Sequence, residues 1–432
     1  MNGSAHTKPF TIAVVGGGIG GIALGIGLAA RNVPFHIYES APSFGEIGAG
    51  VTFGPNVIRA IHSLSPAMLR AYAKHVTTNE SPELADTFLT YRRGWVPNGE
   101  QETRIPAKIF NLVGKVQEID GMVFPVRCCV HRAKLLDELV KLLPEGSASF
   151  NKTFVSFTEN EGGLDDGVHL KFADGSTATA SAVVGCDGIK SATRKLLHGE
   201  DAEPIYAGLF GYRAMVPRDD YEKVMGKELA GTGNLLLYPS GYTIAYPVEH
   251  GSALNMFATC APTGDTWEHK EWRVPSEEGE LARACKGLHP GLAELLLKHS
   301  SGERWAMFHC PHERPYYQGR VCLLGDAAHA TTPHMGAGAG MAIEDAYTLC
   351  GLLSSIQAPA DIGRAFQAYD AARRTRTQEI IRRSKENVAR YMAISMAEGS
   401  DLLRLKDESH ATYGYLFNFD LDESIRQAVS KL

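Results

Sequence analysis

The chain has 432 residues, enough for two or three domains with cores of their own. Its 43 basic and 49 acidic residues leave a formal charge of −6, which argues against a dedicated nucleic-acid or anionic-membrane binder. With 44% hydrophobic and 21% charged residues it is not a disordered chain.

In chain order, the first ten residues lack the pattern of a secretory signal. Residues 10–30 carry no charge, a run long enough to cross a bilayer, and Gly17, Gly21 and Gly25 have the spacing of packed membrane helices. The glycine positions fit a strand, a turn and a helix better. We expect a buried parallel strand over 11–15, a glycine turn, a helix over 19–31 and a second strand over 34–38 ending at Glu39, which together make a βαβ unit. A further helix is expected over 132–143, stopped by Pro144 and Gly146. Residues 168–186 read as a hairpin turned at Asp174-Gly175 and leading into another strand. Between 205 and 260, strand-like runs broken by Gly and Pro mark a second, sheet-based domain. A buried strand over 321–325 opens a second glycine-rich turn and helix. Residues 361–398 are helical, with Arg373, Arg374, Arg376, Arg382 and Arg383 expected on a solvated face. The expected division is 1–85, 119–204 and 306–358 for one nucleotide-binding domain, 86–118 for an excursion toward the substrate side, 205–305 for a β-rich substrate domain and 359–432 for a helical region.

Gly16, Gly18 and Gly21 satisfy G-x-G-x-x-G. One glycine makes the tight turn, one lets the backbone approach a pyrophosphate and one lets the helix pack on the strand. The free N–H groups and positive dipole end of the helix then face the phosphates. Glu39 stands 18 residues past Gly21, where a carboxylate can accept both hydroxyls of an adenosine ribose. The chain has one such fingerprint. One nucleotide cofactor is therefore expected to be held firmly, and any second one to visit without a fold of its own.

Eight cysteines form no C-x-x-C pair, and His309, His312, His329 and His334 make no H-E-x-x-H pattern. We therefore expect reduced thiols and no metal. Ser191 and Ser240 lack the context of a nucleophile elbow, which disfavours hydrolysis.

Three separated motifs resemble those of the single-component FAD-dependent aromatic hydroxylases: the fingerprint with Glu39, the run Gly185-Cys186-Asp187-Gly188 continuing to Arg194, and Gly325-Asp326-Ala327-Ala328-His329 continuing to Gly340-Met341. The resemblance covers nearly the whole chain. It implies a Rossmann-like α/β FAD domain of the para-hydroxybenzoate hydroxylase type, with an inserted mixed-sheet substrate domain and C-terminal helices. It also implies tightly bound, non-covalent FAD, with NAD(P)H as a transient cosubstrate. Asp187 would lie near FAD and the pyridine-nucleotide path, and Asp326 near the ribityl or pyrophosphate region. Arg132, in Val130-His131-Arg132-Ala133, would match the family arginine that contacts FAD, and Gly48-Ala49-Gly50 resembles the flavin-proximal loop. Gly336, Gly338 and Ala339 would offer N–H groups to the negative charge of a reduced flavin.

Within the family, Val130–Ala133 and the 325–346 segment are most similar to salicylate hydroxylase. That implies oxygen transfer to a phenolic ring through a flavin C4a-hydroperoxide, with decarboxylative hydroxylation to catechol. Arg213 and Tyr246 also resemble the pair that holds the phenolate in fungal hydroxylases that dearomatise polyketide phenols. Arg213 is the expected anchor, as a fixed cation that favours phenolate. Tyr246 would bond the same oxygen, and His329 is a candidate acid or base that also orders the loop after Asp326. A flavin-binding module without turnover, or an FAD oxidase or dehydrogenase, is the competing class. The expected partners are a small phenol, O2 and NAD(P)H, with no nucleic acid or membrane, in a monomer or homodimer. Ser430-Lys431-Leu432 matches a receptor-read peroxisomal address, meaningful in a eukaryote; a bacterial protein would be cytoplasmic.

Overall fold

The computed structural model describes residues 7–45, 50–95, 106–160, 167–199, 202–259 and 266–432. Gly48 and Ala49 of the expected flavin-proximal loop lie outside the described residues.

A six-stranded sheet has the order Tyr317–Gln318, Val321–Leu323, Ala182–Gly185, Ile12–Val15, Phe35–Tyr38, Ala148–Ser149. All its pairings are parallel except the one between Tyr317–Gln318 and Val321–Leu323. The middle strands are apolar throughout because helices or sheet cover both their faces. The topology sets the carboxyl ends of Ile12–Val15, Ala182–Gly185 and Val321–Leu323 side by side. Each of the three motifs begins at one of those ends, where open α/β sheets bind ligands.

The uncharged run of residues 10–30 is a strand, a turn and the helix Ile19–Ala29, two residues shorter than expected. Among the described residues no helix is long and apolar enough to cross a membrane. The helix packs on Gly338–Ser355, and contact is close at Gly27, where a Cβ would lie 2.6 Å from Cys350 Sγ.

An eight-stranded sheet runs Arg273–Pro275, Glu303–His309, Ile205–Pro217, Ala253–Thr259, Gly241–Val248, Asn234–Tyr238, Thr87–Arg93, Lys108–Val113. The strands of residues 86–118 thus extend the sheet built from 205–309, through a parallel pairing of Thr87–Arg93 with Asn234–Tyr238. Strand alternation gives the sheet two apolar faces. Ala214, Val216, Leu236, Ala245 and Met256 pack under the helices Arg218–Met225 and Pro290–His299. Leu235, Leu237 and Tyr242 pack toward Met335, Met341 and the long helix Ile362–Met396.

That long helix corrects one expectation. Arg382 is exposed, and Arg374 and Arg383 are partly exposed. Arg373 and Arg376 are buried, at 0% and 4% exposure. Arg373 donates to Asp345 at 2.7 Å and to Glu344 at 2.8 Å, and Arg376 donates to Glu344 at 3.1 and 3.2 Å. Burial alone would raise the two acids, yet Arg376 and Arg373 hold Glu344 at about 2, and His329 and Arg373 hold Asp345 at about 2. Glu344 and Asp345 lie on the helix Gly338–Ser355, so this ion-pair cluster bolts the long helix to the element that follows the Gly-Asp turn.

Candidate active site

The three turns touch one another. Gly16 has φ +104°, a conformation that favours glycine, and a Cβ there would lie 2.5 Å from the Cys186 carbonyl oxygen. A Cβ on Gly21 would lie 2.1 Å from the Gly16 carbonyl oxygen. Gly18 is extended and leaves the helix Ile19–Ala29 without a side-chain cap, so its first N–H groups are open to an anion. Glu39 Oε2 accepts from Gly17 N at 2.6 Å, and Oε1 accepts from Ala41 N at 2.7 Å, which fixes the carboxylate beside the turn. Asp187 is occupied in its own turn: it accepts from Ser191 Oγ at 2.5 Å and from Thr193 N and Oγ1 at 2.9 and 3.0 Å. Arg194, 2% exposed, ties the second turn to the third by donating to the carbonyls of Asp326 and Ala327 at 3.2 and 3.0 Å. Asp326 itself is exposed at the start of a short helix.

Next to these turns lies a cavity of about 310 Å³. One wall is the second sheet, where period-two alternation sends Tyr242, Ile244 and Tyr246 from one strand, Asn255 and Phe257 from the next, and Arg213 from the third to the same side. The opposite wall is the 331–339 turn, including Gly336, Gly338 and Ala339, with Asp326 at its edge. Gly50, Arg127 and Arg132 also line it. Gly336 has φ +61°, and the helix Gly338–Ser355 after it has no side-chain cap, so a second set of open N–H groups faces the cavity.

Arg213 has no carboxylate partner among the described residues. Its guanidinium rests over the Trp305 ring at 4.5 Å, and burial lowers its pKa from the ordinary value. Tyr246 donates to the Gly50 carbonyl at 2.9 Å, and burial pushes its phenol well up. The expected sites Gly50, Arg132, Arg213, Tyr246, Asp326, Gly336, Gly338 and Ala339 therefore share one cavity, while Gly16, Gly18, Gly21, Glu39 and Asp187 form the adjoining turns.

His329 departs from expectation. It is 0% exposed, does not line the cavity, and its Nε2 is bonded to Asp345 inside the ion-pair cluster. It fastens the loop, and the cavity does not extend to it. His334, which the sequence did not single out as a site, does line the cavity. Its Nδ1 lies 2.5 Å from Tyr242 Oη, its carbonyl accepts from Tyr391 Oη at 2.7 Å, and burial lowers it to about 3, so it is neutral at physiological pH. The signal for it was its position next to Pro333 in a turn already marked as flavin-facing.

The arrangement fits an extended dinucleotide: two uncapped helix N-termini, glycines at points of backbone contact, a fixed carboxylate at the second strand and an aromatic-walled cavity at the far end. Among the described residues no group of three or more His, Cys, Asp or Glu could hold a metal ion.

Comparison with known proteins agrees. The family described as "FAD binding domain" matches residues 131–384. The 6-methylsalicylate 1-monooxygenase of Aspergillus terreus is 35% identical over 97% of this chain and 92% of its own. The salicylate hydroxylase of Pseudomonas putida is 33% identical over 98% and 95%. A solved salicylate hydroxylase–substrate complex superposes with a TM-score of 0.82 at 28% identity, covering 98% of both chains. Fold, turns and relatives converge on one conclusion: the chain belongs to the single-component FAD-dependent monooxygenases, and within them to the salicylate hydroxylase-like group.

Proposed function

We propose that the protein uses NAD(P)H and O2 to hydroxylate a phenolic ring of the salicylate type. The observation that carries this reading is Arg213, a cation without a carboxylate partner among the described residues, set beside Tyr246 in a cavity that opens on the uncapped N-terminus of the 338–355 helix.

Bound FAD would supply the redox chemistry between NAD(P)H and O2. The chain's residues bind, orient and exclude water. The open N–H groups at Gly18 and beyond would hold the pyrophosphate, Glu39 the adenosine ribose, and Asp326 and Arg132 the ribityl and ring portions. Asp187 would act by shaping its turn. The N–H groups at Gly338 and Ala339 would offset negative charge on the reduced ring. Arg213 would favour the phenolate form, which is the electron-rich form that attacks oxygen. Tyr246 keeps its proton and points it at Gly50, and it would have to turn from that carbonyl to donate to the phenolate oxygen. His334 and Tyr242 put a neutral polar pair among apolar walls.

Attack at a carboxyl-bearing carbon would release CO2 and give a catechol. Attack at an alkyl-blocked carbon would leave a dienone, the second reading, which the same Arg213–Tyr246 pair supports. A panel of phenols, scored by stimulated NAD(P)H oxidation and product mass, separates the two. Arg213→Met is expected to keep its flavin and lose the stimulation; unchanged kinetics would move the anchor elsewhere.

A further inference from the structure

Arg127 is 1% exposed and yet lines the cavity. Its guanidinium makes one hydrogen bond, from Nη1 to Asn79 Oδ1 at 3.2 Å. Its Nε and Nη2 are buried without partners, and among the described residues no carboxylate pairs with it. A buried cation with open donors is costly unless something of opposite charge completes it.

The surroundings are built to hold it. Asn79 is fixed by bonds to the carbonyls of Leu84 and Thr87 at 3.1 and 2.9 Å, and its Oδ1 also accepts from Gly233 N at 3.1 Å. Gly233 leaves the room: a Cβ there would lie 2.5 Å from Arg127 Nε. The guanidinium lies over the Tyr246 ring, 5.0 Å from its centre. Tyr246 interacts electrostatically with Arg213 as well, so both carboxylate-free cations of this wall bear on one tyrosine. Asn255, directly across the strand pair from Tyr246, keeps a buried Oδ1 without a partner. One ring hydroxyl satisfies one cation and leaves the other open.

We propose that Arg127 binds a carboxylate on the aryl substrate while Arg213 holds its phenolic oxygen, making Arg127 the residue that selects rings bearing both groups. The inference rests on the assignment of this cavity to a phenolic substrate. A planar guanidinium matches a carboxylate through two parallel donors, which the unpartnered Nε and Nη2 can supply. A neutral phenol would leave both donors unmade, a larger penalty than the loss of one contact.

The test uses the FAD-loaded protein and two probes of similar shape, 2-hydroxybenzoate and o-cresol, with binding read from the flavin absorbance. Wild-type protein is expected to bind 2-hydroxybenzoate at least about 10-fold more tightly than o-cresol. Arg127→Met is expected to weaken 2-hydroxybenzoate about 10- to 100-fold, to change o-cresol less than about twofold and to retain its flavin. Arg127→Lys, which keeps the charge but not the fork, is expected to fall between. Equal wild-type affinities for the two probes overturn the proposal without any variant. So does an Arg127→Met protein that loses both probes alike, loses neither or releases FAD, the last outcome placing the guanidinium on the cofactor. The two assignments fail separately. Probe selectivity with no phenol-stimulated NAD(P)H oxidation sinks the hydroxylase reading alone, and stimulated oxidation without selectivity sinks the role of Arg127 alone.

Discussion

Replacing Arg373 by Met removes the centre of the buried ion-pair cluster. In the intact protein its guanidinium meets Asp345 at 2.7 Å and Glu344 at 2.8 Å, and all three side chains are at most 1% exposed. The variant leaves Glu344 with Arg376 and Asn56, but leaves Asp345 with only His329 and the Gly325 N–H. Breaking a buried pair on one side costs about 3–5 kcal/mol, and the surviving contacts of Glu344 put the expected loss near about 3 kcal/mol. The loss has a pH signature. Asp345 is held down at about 2, so its contribution is present above its unfolded value and fades only as pH falls toward 2. Without Arg373 its pKa rises, and protonation relieves the penalty, so the gap between variant and wild type narrows as pH drops. Urea unfolding of the FAD-loaded proteins at pH 7 and pH 3.5, followed by circular dichroism, reads both effects. Arg382→Met is the control, because Arg382 is 55% exposed and its pairs with Glu379 and Glu386 on the solvent side are worth at most about 1 kcal/mol. An Arg373→Met midpoint no lower than that of the control would refute the reasoning, as would a gap that widens toward pH 3.5.

Gly21→Ala places a Cβ 2.1 Å from the Gly16 carbonyl, so the turn must open; the purified variant is expected to lose most of its 450 nm absorbance relative to protein, and a fully yellow variant contradicts the placement of the pyrophosphate. His309 and His334 are held by burial at about 4 and about 3, so the unfolded chain takes up their protons first as pH falls below about 6.5. Stability is therefore expected to drop from pH 7 to pH 5 by on the order of 1–2 kcal/mol for each, and a His309→Phe/His334→Phe protein with an unchanged pH slope of Tm would exclude them as the cause. In a fungal cell, an N-terminally tagged protein lacking Ser430-Lys431-Leu432 is expected in the cytosol and the full chain in peroxisomes; identical distributions dispose of the address. Leu432 packs against the core and its N–H bonds the Val429 carbonyl at 3.1 Å, so a receptor would have to unwind that turn.

The parts of the site that were legible in the sequence are those where local backbone chemistry dictates residue type. The turn at Gly16–Gly21 needs glycines because carbonyls lie within van der Waals reach, and Glu39 ends a strand whose length the apolar run sets. Arg213 stood out as a charge inside an apolar strand pattern. Arg127 carries the same signal, alone between Val126 and Cys128-Cys129, but stands outside every motif of the chain. Arg373 and Arg376 were misplaced because their partners lie 28 to 32 residues away on another helix, beyond what spacing along one helix can tell. Glu344-Asp345 inside the otherwise apolar helix 338–355 was the available clue: two adjacent buried acids require cations. Asp345 also bears on His329: a histidine beside a buried aspartate reads equally well as an acid–base dyad or as a brace, and burial favours the brace.

The central claim is that the cavity between the second sheet and the 336–339 turn delivers oxygen to a phenolic ring. Turnover under oxygen-18 gas with NAD(P)H and a 2-hydroxybenzoate, followed by mass spectrometry of the aromatic product, tests it most directly. One labelled oxygen in a catechol or dienone is the result this account requires. NAD(P)H consumption that yields only hydrogen peroxide, or a product whose new oxygen comes from water, would contradict it.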